Sequence, residues 1–137
     1  MIFGYEKKDW PLCILTVEGK PTSEKTFQNL LNEWSLLYIE SEQKNERFKF
    51  LIDVRQVSGV DLKYMIMMGK YLISVKELTE KWMDRTAILV SNKSIKNLIK
   101  FVFTLYKPIR PFKVFNEADK SIEWLLNNEK GDSESLE

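Results

Sequence analysis

Four side chains able to do chemistry fall close together in one stretch: Asp53, Arg55, Ser58 and Asp61. The residues leading into them, Phe48 to Val54, form a mostly apolar run suited to a strand covered on both faces. Gly59 is free to take a positive φ in the turn. Asp61 stands where an N-cap carboxylate would receive the first amides of a helix. Open α/β sheets place ligands beyond the carboxyl ends of their strands, so the four side chains are expected to gather there. A carboxylate pair at such a place can exchange a proton with a substrate. The structural reading is preferred: Asp53 caps the turn, Arg55 pairs with it, and Asp61 caps the helix. The rest of the inventory does not help catalysis. The chain contains no histidine and one cysteine, Cys13, which lies in the apolar run Leu12 to Leu15 and is expected to be a core hydrophobe. No acidic cluster has the spacing of a calcium loop, and no Gly-rich phosphate loop is present. Catalytic residues, metal and cofactor are therefore all assigned as none, and the chain is expected not to be an enzyme.

A second pattern is one of charge. Between Lys81 and Lys113 the cations Lys81, Arg85, Lys93, Lys96, Lys100, Lys107, Arg110 and Lys113 face Asp84 alone, inside a chain whose formal charge is +1. Lys93, Lys96, Lys100 and Lys107 recur at helical intervals, opposite an apolar stripe of Ile95, Leu98, Ile99, Val102, Leu105 and Tyr106. Lys93, Lys96 and Lys100 are the expected contacts to an anionic surface, against the plain alternative of a solvated helix face. No exposed aromatics are expected between the lysines of the stripe and the net charge is low, so nucleic acid is not an expected partner. Phe101, Phe103 and Tyr106 spread around this helix, and Met65, Met67 and Met68 add adaptable surface to the preceding one. Core packing explains most of them; an apolar ligand site or a homo-oligomer contact would use what remains.

These residues need elements to hold them. Strand-like runs cover Ile2 to Tyr5, Leu12 to Glu18, Phe48 to Val54, Thr86 to Val90 and Phe112 to Phe115. Helical spacing covers Phe27 to Tyr38, capped by Thr22 or Ser23, then a long central segment from Leu62 to Leu78, then Ile95 to Tyr106, then Ala118 to Leu126 after Asn116 as its cap. The central helix is predicted to bury Leu62, Met65, Ile66, Gly69, Leu72 and Ile73, with Gly69 retained for close approach to the sheet. The fold class that follows is α/β: a mainly parallel central sheet with an antiparallel first strand and four helices. At 137 residues, 44% apolar and 30% charged, the chain fits an ordinary globule. A single domain over 1–128 and a disordered acidic tail over 129–137 are expected. No run reaches the length of a membrane span and no signal-type segment opens the chain, so a cytoplasmic location is expected.

The strand ending near Asp53, the turn into a helix with aspartate at its start, and the closing strand-turn-helix from Phe112 to Leu125 resemble, in order and spacing, the STAS fold of anti-sigma-factor antagonists and their SpoIIAA-like relatives. The likeness spans about Phe3 to Leu126. It implies a non-catalytic regulator that binds another protein through the turn from Val54 to Asp61 and the helix start, with Arg55, Ser58, Asp61 and Lys63 as contacts. In the antagonists a phosphorylatable serine follows the aspartate; here Leu62 and Lys63 occupy that place, and Ser58 lies upstream. Neither Leu62 nor Lys63 can carry the phosphate switch. Some SpoIIAA-like relatives look like carriers of apolar or lipid ligands, so a small carrier with a basic membrane-facing helix is the alternative.

Overall fold

The computed structural model describes residues 2–6 and 9–127. Five strands form one sheet: β1 (Ile2–Glu6), β2 (Leu12–Gly19), β3 (Phe48–Val57), β4 (Met83–Leu89) and β5 (Phe112–Phe115). The helices are α1 (Glu24–Lys44), α2 (Leu62–Ser74), α3 (Lys76–Trp82), α4 (Lys93–Leu105) and α5 (Ala118–Leu126). Strand order follows chain order, β1-β2-β3-β4-β5. The β1–β2 pair is antiparallel and the other three pairs are parallel. This is the expected mixed sheet with five helices in place of four. The expected tail lies outside the described residues.

The extra helix comes from a break in the central segment. Ser74 donates its hydroxyl to the Tyr71 carbonyl at 2.7 Å, and the Val75 amide donates to the same oxygen at 3.0 Å. Hydroxyls that bond back into a helix weaken and bend it. Val75, at φ −104°, is buried at the bend, and α3 restarts to carry Trp82 into the core.

Alternation along the strands divides the interior in two. Cys13, Leu15, Val17, Phe48 and Phe50 face the layer that includes α1, α2 and α4. Leu12, Leu51, Ala87 and Leu89 face α5 and its Leu125. Two short stretches set this geometry. Ser23 caps α1, accepting from the Thr26 amide at 3.1 Å, and Asn92 caps α4, accepting from Ser94 and Ile95. Gly19, at φ 83°, and Asn45, at φ 52°, are left-handed, and Gly59 is not.

The central helix keeps Met65, Gly69 and Leu72 inward as expected but turns the rest of the expected face outward. Tyr64 and Gly69 are its buried residues, whereas Leu62, Ile66 and Ile73 are 59%, 42% and 58% exposed. The Tyr64 ring lies 5.2 Å from that of Phe27 on α1, and burial of this large aromatic surface outweighs the aliphatic stripe. Gly69 meets the ring of Tyr106 at the end of α4, so the close approach is helix to helix. Leu105 is likewise exposed, and on α5 the fully buried pair is Ser121 and Leu125, with Leu126 outside.

Candidate functional site

Between the sheet and its larger helical layer lies a cavity of about 220 Å³. Its sheet side is made by Leu15 and Val17 of β2, Ile52 and Val54 of β3, and Ile88 of β4. Its helix side is made by Phe27, Leu30 and Trp34 of α1, Met65, Met68 and Leu72 of α2, and Ile95, Leu98, Ile99 and Val102 of α4. These are the inward positions of amphipathic elements, so the patterning that builds the core also lines the space. The loop from α4 to β5 completes the wall with Tyr106, Lys107, Pro108, Ile109 and Arg110. Lys107, Pro108 and Ile109 are the lining residues that are exposed, so this loop forms the rim.

Away from the α4–β5 loop, the few polar side chains of the wall are hydrogen-bonded within the protein. The Tyr38 and Thr79 hydroxyls share a hydrogen bond of 2.7 Å, and the Trp34 indole donates to the Tyr38 oxygen at 3.3 Å. Burial pushes the Tyr38 phenol above its ordinary pKa, against the hydrogen bonds to Thr79 and Trp34. Thr86 donates its hydroxyl to the Met83 sulfur at 2.9 Å. Arg110 turns its guanidinium onto the Met83 carbonyl at 3.1 Å and the Asp84 carbonyl at 3.2 Å. Burial first, then the charge of Arg47, lowers its pKa from the ordinary guanidinium value. A wall with its hydrogen bonds made internally favours an occupant that needs none.

The four residues expected at the β3–α2 turn do not form one cluster. Arg55 pairs with Asp53, its Nε and terminal nitrogen donating at 3.0 and 2.8 Å, and its amide also donates to that carboxylate. The side-chain hydrogen bonds from Arg55 hold the Asp53 carboxyl below its ordinary range, with burial opposing. An ion-paired aspartate of this kind is a poor proton acceptor, and Asp53 has the structural role foreseen for it. Asp61 takes the N-cap position of α2 without a side-chain cap bond; its carboxylate lies 4.0 Å from Lys20. Lys63 lies over the ring of Tyr64. Ser58 is exposed, its amide donating to the Gly19 carbonyl at 2.9 Å. On α4, Lys93 and Lys100 are exposed and Lys96 is half-buried.

One cluster had no warning in the sequence. Asp84 pairs with Lys49, lies 3.7 Å from Arg85 and 3.9 Å from Arg110. Arg85 also stacks on Trp124, 4.9 Å from its centroid, and donates to its carbonyl. Strand register puts these partners side by side: Lys49 of β3 faces Arg85 of β4. Among the described residues no group of His, Cys, Asp or Glu is placed to hold a metal, and no helix is long and apolar enough to cross a membrane.

Two solved structures share the fold. An uncharacterized protein of the DUF3478 family with a SpoIIAA-like fold, from Shewanella loihica PV-4, is 17% identical with a TM-score of 0.58, the match covering 90% of this chain and 92% of that one. The anti-sigma factor antagonist SpoIIAA in its unphosphorylated form is 11% identical with a TM-score of 0.55, covering 89% and 96%. No curated protein matches the sequence. The SpoIIAA-like family model matches residues 12–126, every strand but β1 and every helix, and the chain belongs to the SpoIIAA-like family.

Proposed function

We propose that this protein is a non-catalytic binding protein that takes a small apolar ligand between its sheet and helices α1, α2 and α4. The observation that carries the reading is the 220 Å³ apolar cavity. Protein interiors hold few voids larger than a water molecule. An apolar lining left unfilled gives up packing contacts and keeps apolar surface in reach of water. A ligand would restore those contacts. Native mass spectrometry after gentle purification tests this: a small molecule leaving with the folded chain supports it. An empty chain that also takes up no apolar probe removes it.

A second reading, regulation through a protein partner, is supported by the family and by one feature of α2. Leu62 and Ile66, expected inside, are exposed beside Ser58, Asp61 and Lys63. Apolar groups rimmed by polar ones suit a protein contact. Arg55 would flank that surface. Capture of the same partner set by wild type and by a Ser58→Glu, Lys63→Glu variant would eliminate it.

A further inference from the structure

The cavity is lined mostly by apolar side chains, yet its rim is basic, and the two together specify more than an apolar ligand. Resting on the reading of the cavity as a ligand site, we propose that the occupant is a single-chain carboxylate whose tail fills the cavity and whose head group pairs with Lys107. The three exposed lining residues are consecutive, Lys107 to Ile109, so an elongated guest meets water at this loop. Among the described residues Lys107 has no ion-pair or hydrogen-bond partner for its ammonium group. Its neighbour Arg110 differs, being committed to two backbone carbonyls and placed 3.9 Å from Asp84. The spare positive charge at the rim is therefore that of Lys107.

Size limits the tail. A core cavity of about 150 Å³ accepts benzene, six carbons. At the same looseness this one holds on the order of nine carbons, one medium-length chain and not two. A carboxylate following the tail inward would meet Tyr38, Thr79, Thr86 and Trp34, whose polar atoms are already committed, and burying an unpaired charge is prohibitive. It stays at the rim, where an ammonium lies within reach and water still solvates both. A cationic head would be repelled there, and a neutral one would gain nothing from Lys107.

Isothermal titration of the full chain with octanoate, octanol and octylammonium, below their aggregation concentrations, tests the proposal. Octanoate is expected to bind about tenfold more tightly than octanol, and octylammonium more weakly than either; tenfold corresponds to about 1.4 kcal/mol. Affinity should rise about fourfold per added methylene from hexanoate to nonanoate and then level off. Lys107→Gln should erase the octanoate preference and Lys107→Glu should reverse it, with melting temperatures unchanged because the residue is exposed. Equal affinities for the three probes, or a preference that survives both variants, would overturn the carboxylate assignment and leave the apolar site standing. No binding by any probe would remove the apolar site and the carboxylate with it.

Discussion

The ring of Tyr106 fills the space that a side chain at Gly69 would need: a Cβ built on that glycine falls among the ring atoms. The contact joins the middle of α2 to the end of α4, and Tyr106 is also part of the cavity wall. Alanine would favour the helix at position 69 by about 1 kcal/mol, but overpacking costs about 1–3 kcal/mol. We expect Gly69→Ala to be destabilising by roughly 1 kcal/mol net. We expect Gly69→Ala with Tyr106→Ala to be less destabilising than the sum of the two single changes. Additive denaturant midpoints around this double-mutant cycle would show that the ring moves aside freely.

Asp53 gives the fold an acid-sensitive pair. Its folded pKa lies below the ordinary value of 3.8, chiefly through the Arg55 side chain. Stability from this pair is therefore present above the unfolded pKa and lost as pH falls through the folded one. Asp53→Asn should cost about 1 kcal/mol or less near neutrality, since Arg55 is partly exposed, and the gap from wild type should close below about pH 4. Urea unfolding of both proteins across that range measures it; a constant gap would separate the effect from titration.

Ser41 is fully buried in α1 and its hydroxyl has no hydrogen-bond partner among the described residues. Removing an unsatisfied hydroxyl relieves its desolvation cost, and alanine is the better helix former. Ser41→Ala should stabilise the protein by about 1 kcal/mol, read as a rise in the thermal midpoint. A fall would reveal a partner for that oxygen.

Asp84 is the carboxylate shared by Lys49, Arg85 and Arg110. Losing one partner of a largely buried pair costs about 3–5 kcal/mol, whereas replacing the whole pair by apolar groups is often neutral. Asp84→Ala should therefore be strongly destabilising. Adding Lys49→Met should recover part of the loss, because Lys49 is 15% exposed and would otherwise lack its carboxylate. Equal stability of the single and double variants would discount the pair.

The basic face of α4 also admits a direct test. If Lys93, Lys96 and Lys100 meet an anionic surface, each should contribute about 1 kcal/mol, weakening with salt. Liposome sedimentation of wild type against the triple Lys→Glu protein should then show loss of pelleting on acidic vesicles and none on neutral ones. Equal pelleting of both proteins would reduce the stripe to a solvated face.

The strands, their mainly parallel pairing and most helices were legible where local signals agree. The cap at Ser23 and the apolar runs at β2, β3 and β4 each point the same way. The central segment was misread because its aliphatic stripe and its aromatics, Tyr64 and Tyr71, compete for the inward face. Only the packing of Phe27 and Trp34 against those rings resolves the competition. The break at Val75 coincides with a serine hydroxyl bonding backwards, a contact that spacing does not encode. Apolar surplus around α4 hinted at a cavity. Its closed hydrogen bonds and its rim depend on Tyr38 meeting Thr79 and on the course of the loop to β5, contacts between elements far apart in the chain.

The strands lie in the sheet in the order in which a ribosome makes them, each beside the one before. The helices that cover one face are interleaved with them, but α5, the helix that among the described residues covers Leu12, Leu51, Ala87 and Leu89, is made after all five strands. A chain growing N-terminus first thus carries a bare apolar sheet face until Leu125 has emerged, and exposed faces of that kind are where nascent chains associate. Translation that stops before Ala118 would yield a sheet with one dressed side and one sticky side. A nascent-chain chaperone would find its binding surface on this protein at that side, and for only as long as the last helix takes to appear.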